Sequence, residues 1–146
     1  KQFAQSALDD FYQHWQHESL VVNQWIRVHA LCVLPGTLEK VKALQTHAAF
    51  DGKNPNKIRA LIAGFCNSNP INFHADSGAG YQFLADQIIH LNTQNPQIAS
   101  RLLTPLTKWK KYNSQRQALI KLQLERILAT PDLSKDVFEV VSKSLV

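Results

Sequence analysis

The fold is decided by NPNKIRALIAGFCNSNPINFHADSGAGYQFLADQIIHLNTQNPQIASRLLTPL, residues 54–106, in which short polar-proline pairs recur. An asparagine or threonine side chain can accept a hydrogen bond from an unpaired N–H at a helix start. Proline suits the first helical position because it has no N–H to leave unpaired. Each pair therefore predicts a helix start, and the stretch predicts several short helices. The pairs are Asn54-Pro55, Asn69-Pro70, Asn95-Pro96 and Thr104-Pro105.

Apolar residues recur at spacings of three and four along the rest of the chain, a pattern typical of amphipathic helices. Strand signals are nearly absent, the segment 76–80 (DSGAG) is the clearest loop, and Thr37 is expected to cap the helix that follows Pro35-Gly36. We therefore predict an all-α fold of eight or nine helices, either a bundle or a curved stack of antiparallel helix pairs. The stripes expected to face the core are Ala4, Leu8, Phe11, Tyr12 and Trp15; Val21, Trp25, Val28 and Cys32; Val41, Leu44 and Ala48; Tyr81, Leu84, Ala85, Ile88 and Leu91; Leu119, Ile120, Leu122, Leu124, Ile127 and Leu128, on two sides of one helix; and Leu133, Val137, Phe138, Val141 and Leu145.

The composition is that of an ordinary globular domain. The chain has 146 residues, 45% apolar and 18% charged, which suits one domain with a hydrophobic core. Its two cysteines, Cys32 and Cys66, are expected to be buried thiols rather than a disulfide. The chain contains no methionine, so we expect it to be part of a longer polypeptide. The net charge of +5 allows an acidic or nucleic-acid partner, although the basic residues are mostly dispersed.

The segment HWQHE, residues 14–18, looks like part of the His-Glu-x-x-His motif of zinc proteases. That motif places two histidines four residues apart on one helix face, with the glutamate as base for a metal-bound water. The residue four after His17 is Val21, which removes a ligand. His14 and His17 leave a shared metal open, but a surface or helix-end role is favoured because histidine suits the negative end of the helix dipole. No metal ligand is therefore predicted in this chain.

Other catalytic signatures are missing from the sequence. The DSGAG loop has backbone N–H groups that can cradle a phosphate, but it lacks the Gly-Lys-Ser/Thr ending and the preceding strand of a phosphate-binding loop. A plain interhelical loop is therefore favoured. The sequence also contains no Gly-x-Ser-x-Gly elbow and no Cys-x-x-Cys pair. We expect the chain to have no catalytic residues of its own.

The basic-aromatic segment KWKKY, residues 108–112, is the best nucleic-acid candidate. Lys108, Lys110 and Lys111 can meet phosphates, and Trp109 can stack on a base. The favoured alternative is that Trp109 and Tyr112, three residues apart, share a buried face while the lysines extend to water. The second functional hypothesis is thus an independent helical-repeat module that binds RNA or an acidic protein through residues 108–112.

Four pieces of the sequence together carry a family resemblance. They are NPNKIRALI, NPINFHADSGAGY, NPQIASRL and KKYNSQRQ, and they occur in this order between Asn54 and about Ile127. With this order and spacing, the chain resembles the C-terminal helical domain of bacterial aminopeptidase N, a zinc metallopeptidase family with a gluzincin catalytic domain. The flanking segments fit the domain in length and helical pattern, so residues 1–146 are interpreted as that single domain.

The resemblance implies a role within a larger enzyme. The parent hydrolase would release N-terminal amino acids from peptides in cytoplasmic peptide catabolism, using one zinc ion bound in an upstream catalytic domain absent from this chain. The resemblance also implies a curved helical stack of the HEAT or armadillo type that covers the active-site cavity and limits which substrates enter. The partners expected are that catalytic domain and peptide substrates, with no membrane and with nucleic acid disfavoured. This domain alone is expected to be inactive.

By motif position, the resemblance implies three peptide-contacting residues. They are Arg59 within NPNKIR, and Gln97 and Arg101 within NPQIASRL. Gln97 and Arg101 are four residues apart and so share a helix face, and an arginine fork suits a peptide carboxylate or backbone carbonyls. The alternative is that Arg59 and Arg101 form structural ion pairs or hydrogen bonds to loop carbonyls. Two departures from the family pattern, Lys57 where arginine is expected and Asp76-Ser77 where an acid-glycine pair is expected, bear on substrate range.

Overall fold

The computed structural model describes the backbone of residues 2–146 and the side chains from Gln5 onward, so the predicted core position of Ala4 lies outside the described side chains. Within this part of the chain the regular structure is helical, with no strand, which confirms the all-α prediction. The α-helices are α1 Gln2–Trp15, α2 Ser19–Leu31, α3 Thr37–Leu44, α4 Pro55–Ile58, α5 Gly64–Ser68, α6 Pro70–Phe73, α7 Ala79–Gln94, α8 Pro96–Leu102, α9 Thr104–Thr107, α10 Ser114–Leu128 and α11 Lys135–Leu145.

A π-helical turn, Arg59–Ala63, joins α4 to α5 without interrupting the helical backbone. The residues on either side of its two ends, Ile58 and Gly64, keep right-handed helical φ and ψ. The described chain therefore has ten helices when residues 55–68 are taken as one, rather than eight or nine. The difference arises because α6 and α9 are single turns of four residues. A further 3₁₀ turn covers Trp109–Lys111.

The predicted helix starts differ in how they are capped. Asn54 accepts hydrogen bonds from the N–H groups of Asn56 and Lys57, and Asn95 accepts one from Ile98, so both caps are confirmed. The cap predicted at Thr37 is wrong. Gly36, at φ 86°, precedes α3 instead, and the Thr37 hydroxyl donates to the carbonyls of Cys32 and Leu34. The cap predicted at Thr104 is also wrong: it is the first residue of α9, and its hydroxyl donates back to the carbonyl of Arg101.

The contacts divide the chain into two compact units, one ending at Asn69 and one running from Pro70 to Val146. In the first unit the core lies between α2, α3 and the helical stretch 55–68. Trp25 Nε1 donates to the Leu8 carbonyl at 2.6 Å and so attaches α1 to α2. Asn69 is buried and donates to the carbonyls of Ala30 and Cys32, which anchors the end of α5 to the end of α2. The fully buried side chains include Ile26, Val41, Leu61 and Phe65.

In the second unit α7 packs against α8 and α10, and α11 packs against α8 and α10. Asn92 is buried on α7, where it donates to the Asp132 carbonyl and accepts from the Ser134 N–H at 2.7 Å. These bonds hold the turn before α11, in which Asp132 has a positive φ of 57°. The fully buried side chains include Tyr81, Leu84, Ile88, Leu106, Ile120 and Leu124.

Several predicted core positions are exposed. Trp15 and Phe11 are about two-fifths exposed on α1, and Val28 is 51% exposed because the buried face of α2 is formed by Val22, Trp25, Ile26, His29 and Ala30. On α10, Leu122 is 59% exposed, so that helix buries one face rather than two. The remaining exposed positions among those predicted are Ala48 and Phe138. Neither cysteine is in a disulfide; Cys66 is buried as predicted, whereas Cys32 is only partly buried.

Candidate functional site

Arg59 lies on the wall of an open groove in the first unit. The cavity has a volume of about 530 Å³ and is bordered by one face of α2 and by the start of the helical stretch 55–68. Arg59 is exposed at the first position of the π-helical turn, directly after the capped helix start at Asn54. The wall is formed by Leu20, Val21, Asn23, Gln24 and Arg27 of α2, and by Asn56, Arg59 and Ala60.

A second arginine, Arg27, borders the same groove. Its guanidinium donates a long hydrogen bond of 3.5 Å to the Ser68 hydroxyl, and the Arg59 guanidinium donates one of 3.4 Å to the Asn56 side-chain oxygen. Within residues 2–146 neither arginine has a carboxylate within ion-pair distance. The described residues therefore form no structural ion pair with Arg59. Among the described residues, each guanidinium has one hydrogen bond, to Ser68 for Arg27 and to Asn56 for Arg59.

The Arg27 side chain lies close to Gly64, where α2 packs against α5. A Cβ atom at Gly64 would lie 3.7 Å from Arg27 Nη1 and 3.4 Å from the Ala30 Cβ, which are ordinary van der Waals distances. Lys57 adds a third positive charge nearby. Its Nζ donates to Asn23 Oδ1 at 3.0 Å, which holds the ammonium beside the groove wall. The result is a positively charged groove with several free donors, an arrangement suited to a carboxylate or to backbone carbonyls.

The position of Arg27 on the exposed face of α2 could be predicted from the helical spacing, although Arg27 belongs to no motif. Positions 20, 23, 24 and 27 have the spacing of one helix face, and the polar members of this set lie away from the buried side of α2. Arg59 was found through its motif, and Arg27 was missed because α2 carries no motif. Asn56 lies three residues before Arg59, so its contact with the Arg59 guanidinium is the one expected between neighbours on a helix face.

Gln97 and Arg101 lie on α8 in the second unit, whereas Arg59 belongs to the first. Both are exposed, and their spacing of four residues places them on the same face of the helix, as predicted. Asn95 caps this helix through a 3.2 Å hydrogen bond from the Ile98 N–H. Arg101 has no carboxylate partner among the described residues. The two side chains can therefore reach an external acceptor without breaking an ion pair.

The basic-aromatic segment 108–112 is built differently from a nucleic-acid surface. Trp109 is only 8% exposed, and its Nε1 donates to the Ser144 carbonyl at 2.8 Å. The ring is thus part of the packing between the 3₁₀ turn and α11, where it is not available for stacking on a base. Lys110 Nζ lies 5.7 Å from the centroid of the Trp109 ring, and Lys108 and Lys111 are exposed. The burial expected for Trp109 is confirmed, whereas Tyr112, expected on the same buried face, is only partly buried.

The segment HWQHE does not lie on a single helix. His14 is in the last turn of α1, His17 is in the following turn, and Glu18 directly precedes α2 without a side-chain cap. Across the described part of the chain, no group of three or more His, Cys, Asp and Glu residues is arranged to hold a metal ion.

The DSGAG loop is held by a polar cluster around His74. Arg116 donates from Nε and Nη2 to the His74 carbonyl and forms a 2.9 Å ion pair with Asp76. The His74 ring contacts the Tyr81 hydroxyl at 2.6 Å and the Tyr112 hydroxyl at 3.4 Å. Burial, followed by the positive charges of Arg116 and a nearby lysine, lowers the pKa of His74, and burial raises the pKa of Tyr81. These contacts support the interpretation of DSGAG as a structural loop.

The chain is similar to known proteins over its whole length. Residues 1–146 match the family described as "Domain of unknown function (DUF3458_C) ARM repeats". The chain belongs to this family. Its ARM repeats agree with the helical-repeat class predicted from the sequence. The resemblance to the C-terminal region of aminopeptidase N is confirmed as well.

Three similar proteins bear the name aminopeptidase N. That of Caulobacter vibrioides is 45% identical over 141 residues, that of Haemophilus influenzae 44% over 138 residues, and that of Escherichia coli 38% over 140 residues. These matches cover 94–97% of this chain. The chain spans about 16% of the length of each of these relatives.

A solved structure is also similar. It is the crystal structure of Legionella pneumophila aminopeptidase A in complex with aspartic acid, with a TM-score of 0.93 and 39% sequence identity. The match covers 99% of this chain and 17% of that chain. In the described part of this ARM-repeat domain, no helix is both long and apolar enough to cross a membrane.

Proposed function

We propose that this ARM-repeat domain is the non-catalytic C-terminal part of a zinc aminopeptidase N, a hydrolase that releases N-terminal amino acids from peptides in the cytoplasm. The proposal is supported by the three aminopeptidase N relatives, each about six times longer than the matched segment. In this proposal the zinc ion and the catalytic residues belong to the rest of the parent chain, and the chain is about 16% of the length of its aminopeptidase N relatives. No catalytic step is assigned to residues of this domain.

The domain's role in this proposal is to cover the active-site cavity, to limit substrate entry and to contact the peptide downstream of the scissile bond. The observation that carries the contact role is the groove with Arg27 and Arg59, whose guanidinium groups have no carboxylate partner in residues 2–146. Unpaired guanidinium groups beside a 530 Å³ cavity suit the carboxylate of a short peptide. Gln97 and Arg101 provide a second exposed pair of polar side chains for peptide carbonyls.

The contact role predicts that Arg59→Ala in the full-length enzyme weakens the processing of short peptides with a free C-terminal carboxylate. Losing one charge-assisted hydrogen bond costs roughly 1.5 kcal/mol, or about tenfold in kcat/KM. The same peptides with an amidated C-terminus should be affected much less. The measurement is kcat/KM for matched tripeptide acids and tripeptide amides with the wild type and the variant.

Arg126→Ala is the matched control, because Arg126 is also an exposed arginine but is paired with Asp86 at 2.6 Å. It should leave the ratio between acid and amide substrates unchanged. Equal losses on tripeptide acids and amides in the Arg59 variant would show that Arg59 does not bind the peptide carboxylate. Unchanged kinetics for both substrates would remove Arg59 from the contact surface altogether.

A further inference from the structure

A second cavity in the first unit shares no residue with the Arg59 groove, and its wall is mostly apolar. Its volume is about 450 Å³, and it is bordered by α1, by the end of α2 and by the segment after α2. Two wall residues also lie at the surface, since Val28 is 51% and Leu34 43% exposed. The cavity is therefore open to solvent along an apolar edge. The aliphatic wall residues are Leu8, Val28, Leu31 and Leu34, and the others are Gln5, His29, Cys32 and Lys40.

Apolar side chains continue from this cavity along α1. Leu8, Phe11 and Trp15 follow one another at spacings of three and four residues, so they share one face of the helix. The Phe11 and Trp15 rings are each about two-fifths exposed, and their centroids lie 6.3 Å apart. Together with the aliphatic wall of the cavity they form one apolar surface, the α1–α2 face. Single exposed apolar residues are ordinary, whereas adjoining ones mark a surface that another protein segment covers.

The size of the α1–α2 face indicates what covers it. A stable complex between separate molecules takes roughly 20–30 residues from each partner, whereas this face offers a few apolar side chains around one cavity. A segment of the same polypeptide needs a smaller contact, because tethering raises its effective concentration to the millimolar range. The aminopeptidase N relatives are each about six times longer than the matched segment. A tethered segment therefore fits this face better than a second copy of the chain.

We infer that a segment of the parent chain outside residues 1–146 covers the α1–α2 face and inserts an apolar side chain into the cavity. Removal of both apolar surfaces from water stabilises such a contact. The inference rests on the part of the proposed function that makes this chain one portion of a longer polypeptide. It adds the surface by which this portion is attached to the rest, which is distinct from the Arg59 groove that contacts substrate in the proposed function.

The test is thiol labelling of the full-length protein that carries either Val28→Cys or Leu34→Cys. The rate of alkylation by N-ethylmaleimide is measured in buffer and in urea, and tandem mass spectrometry locates the label among positions 28, 32 and 34. We expect each new thiol to react about thirtyfold or more slowly in buffer than in urea, at every protein concentration used. A smaller reduction would overturn the inference. Protection that is lost on dilution would also overturn it, because a second copy would then be the occupant.

Val28→Glu places a charge on the face and should release the covering segment. Cys32 borders the cavity, so its alkylation in the full-length protein should become about tenfold faster. Phe138→Glu is the matched control, because Phe138 is 52% exposed on α11, and it should leave the Cys32 rate unchanged. An unchanged Cys32 rate in the Val28→Glu variant would contradict the inference.

The buried thiol of Cys66 distinguishes uncovering from unfolding. Its alkylation rate should be the same in the wild type and in the Val28→Glu and Phe138→Glu variants. Equal acceleration of Cys66 and Cys32 would mean that Val28→Glu unfolds the first unit, and the labelling of the Val28→Cys and Leu34→Cys variants then decides.

Assays of aminopeptidase activity on the same preparations separate this inference from the proposed function. A full-length protein that protects the Val28→Cys thiol but releases no N-terminal amino acids would contradict the proposed function alone. An active aminopeptidase in which that thiol is labelled as fast as in urea would contradict the inference alone.

Discussion

At the scale of single residues, His74 makes the clearest connection between burial and measurable behaviour. Its pKa is lowered from 6.5 by burial and by the charges of Arg116 and Lys111, and the pKa of His29 is lowered mainly by burial. A histidine with a lowered pKa in the folded state takes up its proton more readily when the chain is unfolded. Its contribution to stability is therefore complete above about pH 6.5 and is lost as the pH falls towards the folded pKa.

We predict that the free energy of unfolding of the chain decreases between pH 7 and pH 5, and that His74→Gln makes this decrease shallower. The measurement is urea unfolding at a series of pH values in this window. His90→Gln is the control, because His90 is an exposed histidine on α7. A slope that is the same in the His74 variant and the wild type would show that His74 titrates alike in the folded and unfolded chain.

The helix caps show which local features the sequence predicted and which it did not. Asn54 and Asn95 cap their helices as expected, because the neighbouring proline fixes where the helix starts. Thr37 and Thr104 have the same capping chemistry, but their hydroxyls donate to carbonyls of the preceding segment. Whether a hydroxyl accepts from the following turn or donates to the preceding one depends on the path of the backbone, which local sequence does not define.

At the scale of helices, the start of α7 depends on a glycine. A Cβ atom at Gly80 would overlap the Phe73 carbonyl oxygen and lie 2.9 Å from the carbonyl carbon. The carbonyl belongs to the backbone and cannot rotate away, so Gly80→Ala must push α6 and α7 apart. This explains why the segment 76–80 contains a second glycine beyond Gly78, which has the positive φ of 76°.

We predict that Gly80→Ala lowers the free energy of unfolding of the chain by about 2 kcal/mol or more, the usual cost of forcing an extra methyl into a packed site. The measurement is urea unfolding monitored by circular dichroism. Gly52→Ala is the matched control, because the nearest atom to a Cβ there is a Phe50 side-chain carbon at 3.8 Å. Equal stability of the Gly80 and Gly52 variants would contradict the close approach of α6 and α7.

Helix faces were predicted less well than helix positions. On α2 the sequence offered an apolar stripe through Val21, Trp25, Val28 and Cys32, whereas Ile26 and His29 are buried and Val28 is half exposed. This helix is apolar on more than one side, so periodicity alone does not decide which side faces the core. The decision comes from packing against α3 and the helical stretch 55–68, a non-local contact that a local pattern does not contain.

At the scale of the whole molecule, the candidate site was only partly predictable. Arg59 was identified through its motif, but the groove around it also needs Arg27 from a helix 32 residues earlier in the chain. Proximity of this kind arises from the packing of α2 on the stretch 55–68. The net charge of +5 allowed an acidic or nucleic-acid partner without locating where it would bind. Arg27 and Arg59, which have no carboxylate partner among the described residues, are the proposed position for such a contact.

The central claim is that this domain contacts the peptide substrate of its parent enzyme. The most direct measurement is photo-crosslinking of the full-length enzyme with a short peptide whose first peptide bond is reduced, so that it resists hydrolysis, and whose C-terminal residue carries a diazirine. Mass spectrometry then maps the crosslinked positions. We predict crosslinks within residues 20–27 or 56–60, at the Arg59 groove, and their loss in an Arg27→Ala and Arg59→Ala double variant. Crosslinks that all map outside residues 1–146 would contradict the claim.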